Sequence, residues 1–326
     1  MTGIFRRAAG LTHELTGSEA AVAADLDPDI ATQVWRAFGL PEIEQNAVKA
    51  YDQQDVETLR ALGTLLAAGI ALPDLLAVAR VYGQAFSRIA EAEERVYRRH
   101  VLDPILEADD PVAELEEREG ISALMISLLE APIRNAHRRQ LDIAIRQLVV
   151  SAAGAAAEPT AIGFVDLVGY STLTMQLESE DLTKLVSRFG DLAFRCCRDA
   201  GARVVKSVGD AVLLVSPRPD VALEAAWRVV EGVASDSLIP AARAGLDFGP
   251  VVPLEGDYFG NPVNVAARLI SVAKPTSVVS SRSFADALVD RVAVVGELGG
   301  FDLKGVGHVD VVSLTRSGLP GGAAEP

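Results

Sequence analysis

The chain has 326 residues, a formal net charge of −15, 49% hydrophobic and 23% charged residues, and only 5% aromatic residues. The length predicts two domains, each able to bury its own core. The acidic balance disfavours nucleic acid and anionic membrane as partners, while a small phosphorylated ligand remains compatible if lysine, arginine or metal act locally.

Residues 1–150 read as helical throughout. In "LDPDIATQVWRAFG", Asp27 is an N-cap and Pro28 opens the first turn; Ile30, Val34, Trp35 and Phe38 share a face, and Gly39 stops the helix. "DVETLRALGTLLAAGI" repeats the pattern, with Leu59, Leu62, Leu65 and Leu66 on one stripe. A long helix follows from about Pro73 to His100, ended by Asp103-Pro104, and then an acidic segment, "ADDPVAELEEREG". Beyond Pro132, "PIRNAHRRQLDIAIRQLVV" places Leu141, Ile145, Leu148 and Val149 on one stripe. The longest candidate span, Leu62 to Pro73, is too short to cross a membrane, and the N-terminus lacks a signal-peptide apolar region. A cytoplasmic location is therefore expected.

Residues 151–159, "SAAGAAAEP", read as a linker. From 160 to 316 the periodicity changes. "TAIGFVDL" is a strand. "SEDLTKLVSRFGDLAFRCCRDAG" is a helix with Leu182, Leu185, Val186, Phe189, Leu192 and Cys196 inward. The two cysteines, Cys196 and Cys197, are adjacent on it and cannot form an ordinary disulfide, which suits a reducing compartment. "ARVV" and "AVLLV" read as two buried strands of a hairpin. A helix from Asp220 to about Ala234 and the strand "AARAGLDFGPVV" complete a β-α-β-β-α-β order, the ferredoxin-like split arrangement. The tail, 317–326, is compositionally disordered. The predicted fold class is thus α+β, an all-helical domain followed by a ferredoxin-like domain.

Four segments carry chemistry. In "FVDLVGYS", Asp166 ends a strand and Gly169, Tyr170 and Ser171 lead into a helix, a place where a carboxylate binds a cation and free N–H groups face an anion. In "VVKSVGDAV", Lys206 and Asp210 flank a hairpin tip. In a split βαβ sheet the hairpin lies beside the first strand, so Asp166 and Asp210 can converge, and two carboxylates sharing a pair of Mg²⁺ ions suit in-line displacement at phosphorus. In "EGDYFGNPVNVAARL", Asp257 sits in a glycine-rich loop, and Asn264 and Arg268 share one helix face. In "FDLKGVGHVDVVSL", Lys304 precedes a glycine at a strand end. Each segment alone is also what a solvated turn or an ordinary polar stripe looks like.

Together, in this order, they resemble the class III nucleotide cyclases over about Thr160 to Leu314. The resemblance implies that Asp166 and Asp210 are metal aspartates for Mg²⁺ or Mn²⁺, two ions per site. It implies that Gly169 to Ser171 cradle phosphate, that Lys206 and Asp257 read the purine, and that Asn264 orients the ribose. Arg268 would stabilise charge on the reacting phosphate, and Lys304 would hold the terminal phosphates. A lysine donor and a carboxylate acceptor suit adenine N1 and N6–H, whereas guanine reverses both needs. ATP is therefore the expected substrate. In the family the metal residues and the base-reading residues come from different subunits, which implies a homodimer.

The helical half resembles the N-terminal regulators of some soluble actinobacterial cyclases, which implies control by pH, fatty acid or another small molecule. His13, His100 and His137 are candidate proton sensors, although solvated or capping histidines look the same in sequence. "AYDQQDVETLRALGTLLAAGIALPDLLAV" also resembles the core of MerR-type DNA-binding domains, but the acidic balance argues against that role. The rival reading for the whole chain is a catalytically silent, nucleotide-responsive regulator whose helical half acts on DNA or a protein.

Overall fold

The computed structural model describes residues 12–40, 49–110, 131–145, 159–289 and 292–316, together with 114, 118 and 124. The chain divides into two compact units, Met1–Ala153 and Gly154–Pro326. The linker to residue 158, the tail from 317, Leu148, Val149 and most of the acidic segment lie outside the described residues.

In the first unit, α1 (Gly17–Ala23) begins with a reciprocal cap between Thr16 and Glu19, and α2 (Pro28–Ala37) begins at Asp27, whose carboxylate accepts from the Asp29 amide at 2.7 Å. Helix α3 (Gln53–Ala67) starts at Asp52 with a similar reciprocal cap to Asp55. These three helices bury Ala20, Ala21, Ala31, Val34, Trp35, Val56 and Leu59 against one another. The small alanines let the backbones approach while Trp35 and Leu59 fill the centre. The α3 stripe differs from expectation: Val56 and Leu59 are buried, whereas Leu65 is 40% exposed, because the buried face follows the turn spacing back from Leu62.

Helix α4 (Leu72–Tyr97) does not stop near Asp103-Pro104. It passes through a widened π turn, Arg98–Leu102, into α5 (Asp103–Glu107). Pro104 has no N–H to offer the His100 carbonyl four residues earlier; Arg118 Nη1 donates to that oxygen at 2.7 Å. Helix α6 (131–145) carries Leu141, Ile143 and Ile145 exposed on its surface.

The second unit is built on a seven-stranded sheet of order β2-β3-β1-β4-β7-β9-β8. Its strands are β1 (Pro159–Leu167), β2 (Arg203–Val208), β3 (Ala211–Ser216), β4 (Ala242–Pro250), β7 (Val278–Ser281), β8 (Ala293–Leu303) and β9 (Gly307–Arg316). The helices α7 (Tyr170–Leu173) and α8 (Ser179–Ala200) follow β1, and α9 (Pro219–Ala234) follows β3. The first four strands with α8 and α9 make the βαββαβ arrangement, with β1 antiparallel to both β3 and β4. A short ribbon, β5 (Val252–Leu254) and β6 (Asp257–Phe259), leads into α10 (Asn261–Leu269), and α11 (Arg282–Asp286) follows β7.

Alternation sorts the strands onto two faces. Val165, Val212, Leu214, Ala244 and Leu246 join α8 and α9 in the larger core, with Phe189, Trp227 and Val230. Cys197, rather than Cys196, is the fully buried cysteine, and burial pushes its thiol up to about 12. The other face presents Ile162, Leu213 and Val215, which pack with Ala266 of α10 and with Tyr258 of the ribbon. Strand β2 is an edge strand and only partly covered, contrary to the buried strand expected from "ARVV". Its apolar composition reflects half-coverage by the ribbon rather than enclosure on both sides.

Candidate active site

The site grows from the end of β1. Asp166 lies opposite Ala211 of β3 and Arg243 of β4, on the same face as Phe164 and Leu213. Two main-chain bonds gather the neighbouring loops: the Leu167 amide donates to the Asp210 carbonyl at 3.2 Å, and the Val168 amide to the Ala241 carbonyl at 2.7 Å. The strand end, the β2–β3 turn and the start of β4 therefore meet. Gly169 then takes φ +77°, a left-handed conformation that favours glycine, and opens α7 at Tyr170 and Ser171.

Asp166 and Asp210 converge as the topology predicts. Burial pushes the Asp166 carboxyl above its ordinary range and the nearby Asp210 carboxylate raises it further, opposed by the Arg243 guanidinium. Arg243 Nη2 donates to Asp166 Oδ2 at 3.2 Å, and its Nε to the same oxygen at 3.3 Å. Sequence reasoning missed Arg243; its one signal was a lone cation in the strand "AARAGLDFGPVV", whose other charged residue is Asp247. Two carboxylates and one guanidinium leave a net negative site made of hard oxygen donors, which fits Mg²⁺ or Mn²⁺. No group of three or more metal-ligating side chains occurs among the described residues.

The second constellation lies on β2 and the ribbon. Lys206 donates to Asp257 Oδ2, and the Tyr258 amide donates to Asp257 Oδ1 at 2.9 Å. These bonds outweigh partial burial and hold the Asp257 carboxyl below its ordinary range. Lys206 stands within strand β2, while Asp210 follows Gly209 in the turn.

Asn264 and Arg268 occupy exposed positions of α10. That helix lies close on the sheet because Gly245 has no side chain: a Cβ there would stand 2.6 Å from the Ala266 carbonyl oxygen. Lys304 is exposed in the β8–β9 turn. Among the described residues, no side-chain hydrogen bond or ion pair joins Asn264, Arg268 or Lys304 to Asp166 or Asp210. One chain thus assembles two separate pairs, Asp166 with Asp210 and Lys206 with Asp257.

No protein-family model matches the chain. An adenylate cyclase of Streptomyces coelicolor is 34% identical over 287 residues, covering 86% of this chain and 73% of that protein. A pH-sensitive adenylate cyclase of Mycobacterium tuberculosis is 31% identical over 278 residues, covering 81% of this chain and 68% of that protein. Among solved structures, the adenylyl cyclase CyaB from P. aeruginosa aligns at 19% identity with a TM-score of 0.44, over 50% of this chain and 97% of that chain. No helix among the described residues is long and apolar enough to cross a membrane. With relatives at this identity along most of its length, the chain belongs to the class III adenylate cyclase family.

Proposed function

We propose that the protein converts ATP to 3′,5′-cyclic AMP and pyrophosphate at the interface of a homodimer. The observation that carries this reading is the pairing of Asp166 with Asp210 at one strand end, beside an independently assembled Lys206–Asp257 pair. The 3′-hydroxyl attacks the α-phosphorus and its proton passes to solvent water, while the bond to the bridging oxygen breaks and the electron pair leaves with pyrophosphate. Asp166 and Asp210 are the residues that would hold the divalent ions. Bound there, the ions supply charge neutralisation and acidify the attacking hydroxyl. Arg243, bonded to Asp166, adds a cation where triphosphate charge has to be balanced. Gly169, Tyr170 and Ser171 offer main-chain N–H groups to phosphate. Lys206 donates to adenine N1 and Asp257 accepts from N6–H. Asn264 orients the ribose, Arg268 stabilises charge developing at the α-phosphate, and Lys304 holds the terminal phosphates.

The dimer is supported by the ribbon's exposed apolar surface: Val252 and Leu254 are each 54% exposed and Phe259 is 52% exposed. A second copy covering that surface would bring Asn264 and Arg268 of one chain toward the carboxylate pair of the other. The helical unit acts as regulator, responding to protons or a small apolar molecule. Its support is the presence of His13, His100 and His137 and the exposed apolar side chains of α6.

The test is direct: incubate the purified protein with ATP and Mn²⁺ or Mg²⁺ and measure cyclic AMP. Production that Asp210→Ala abolishes supports the reading. Absence of product from pH 5.5 to 8, a window around the ordinary histidine pKa of ~6.5, would instead favour a silent nucleotide-responsive regulator.

A further inference from the structure

Asp257 has to stand at a fixed distance from Lys206 if the two are to read one base, yet it rides on a ribbon of two three-residue strands. Such a ribbon is marginal by itself and takes its position from tethers to larger elements. Tyr258 supplies one. It packs against the apolar cluster that includes Ile162, Leu213 and Val215 of the sheet, its amide fixes Asp257 Oδ1, and its hydroxyl accepts from Arg203 Nη2 at 3.0 Å. The Arg203 guanidinium carbon also lies 5.5 Å from the Tyr258 ring centroid, in cation–π range.

Arg203 reaches Tyr258 because strand β2 is bulged. Arg203 pairs with Val215 and Val204 with Leu214, but Lys206, not Val205, pairs with Leu213. In a regular strand, residues three apart point to opposite faces. The extra residue, Val205, restores the phase, so Arg203 and Lys206 both stand on the face of Val215 and Leu213. Two cations on one edge strand thereby grip two successive residues of β6: Lys206 binds Asp257 and Arg203 binds Tyr258.

We propose that Arg203 and Tyr258 are a positioning pair for base selection, pinning the β5–β6 ribbon to β2 so that Asp257 is held against Lys206. The proposal deepens the reading that Lys206 and Asp257 recognise the purine, and it rests on that reading. Neither Arg203 nor the Tyr258 hydroxyl has to touch the nucleotide. Their loss leaves the metal carboxylates, Asn264 and Arg268 intact while the ribbon gains freedom.

The experiment has two limbs on the full chain. Hydrogen exchange of the amides from Val252 to Phe259 is compared in wild type, Arg203→Met and Tyr258→Phe. Steady-state kinetics with ATP and with GTP are measured for the same proteins, for Arg203→Lys, for the double variant, and for Lys206→Ala. The expected result is faster ribbon exchange and a KM for ATP raised roughly five- to tenfold, with kcat nearly unchanged and a weaker preference for ATP over GTP. Arg203→Lys retains part of the preference, and the double variant is no worse than the more impaired single variant, because the two residues act as a unit. Unchanged ribbon exchange overturns the tether. Faster exchange with intact base preference, while Lys206→Ala loses it, overturns the positioning role alone. Intact preference in Lys206→Ala overturns the base-reading assignment and the proposal with it. A fall in kcat equal for both nucleotides assigns Arg203 and Tyr258 to general stability and also overturns it.

Discussion

At the scale of single residues, charge placement decides which group does what. Arg268 is exposed on α10, and the proposed reaction gives it the charge that develops at the α-phosphate to stabilise. Arg268→Ala is expected to lower kcat about 10²–10³-fold with little change in apparent ATP affinity. A raised KM with unchanged kcat would place Arg268 in ground-state binding instead. Asp247 has a different character. It is 4% exposed on β4, accepts from Ser283 Oγ at 3.2 Å and from Ser281, and burial pushes its carboxyl above the ordinary 3.8. Between 3.8 and that raised value the folded chain binds more protons than the unfolded chain, so this group's contribution to stability falls as pH rises through the window. Asp247→Asn keeps an acceptor without the buried charge. It should raise the midpoint of thermal unfolding at pH 7.5, and the gain should shrink on acidification toward pH 4. A difference that does not vary with pH would show that hydrogen bonding, not charge, dominates at this position.

At the scale of elements, close approach seats helix α10 on the sheet. A Cβ on Gly245 would stand 2.6 Å from the Ala266 carbonyl oxygen and 2.8 Å from Leu269 Cβ, both belonging to α10 and neither able to swing aside. Gly245→Ala should therefore push α10 off the sheet and shift Asn264 and Arg268 with it. We expect a loss of roughly 1–3 kcal/mol in chemical denaturation together with a fall in kcat. Activity lost without any loss of stability would mean that α10 moves freely and is not seated by this contact. Element-level reading of the sequence succeeded where periodicity was strong: β1, α8 and α9 fall where alternation and the helical stripe put them. It failed at β2, because an apolar run reads alike for an interior strand and for an edge strand that a ribbon half covers. It failed again at Pro104, where a proline that usually ends a helix is accommodated by the π turn.

At the scale of the whole molecule, the proposed dimer makes a sharp demand. Asp210→Ala and Arg268→Ala should each be inactive alone, and a mixture should regain activity, because a heterodimer holds one intact site and one doubly damaged site. The rescue should grow with the heterodimer fraction; its absence, with subunit exchange shown independently, would contradict a shared site. The proposed regulatory role makes another demand. A chain beginning at Ala152 should remain active and lose its response to pH across 5.5 to 8 and to fatty acid, a range that brackets the ordinary histidine pKa of ~6.5. Inhibition by the helical unit is the expected direction, so the shortened chain should be the faster. Identical responses from the two chains would remove residues 1–150 from the control of the reaction.

The sequence by itself determined the order of elements and the chemical types at the site. Periodicity follows from local alternation, and donor or acceptor character belongs to each side chain wherever it stands. It could place Asp166 beside Asp210, because strand adjacency follows from the βαββαβ order. It could not reveal Arg243 against Asp166 or Arg203 against Tyr258, since the first contact depends on the register between β1 and β4 and the second on a one-residue bulge at Val205. A slip of one residue reverses the face of every side chain after it, and no local propensity records that phase. Only the tertiary structure decides which polar residues of a strand share a face, and so which of them meet.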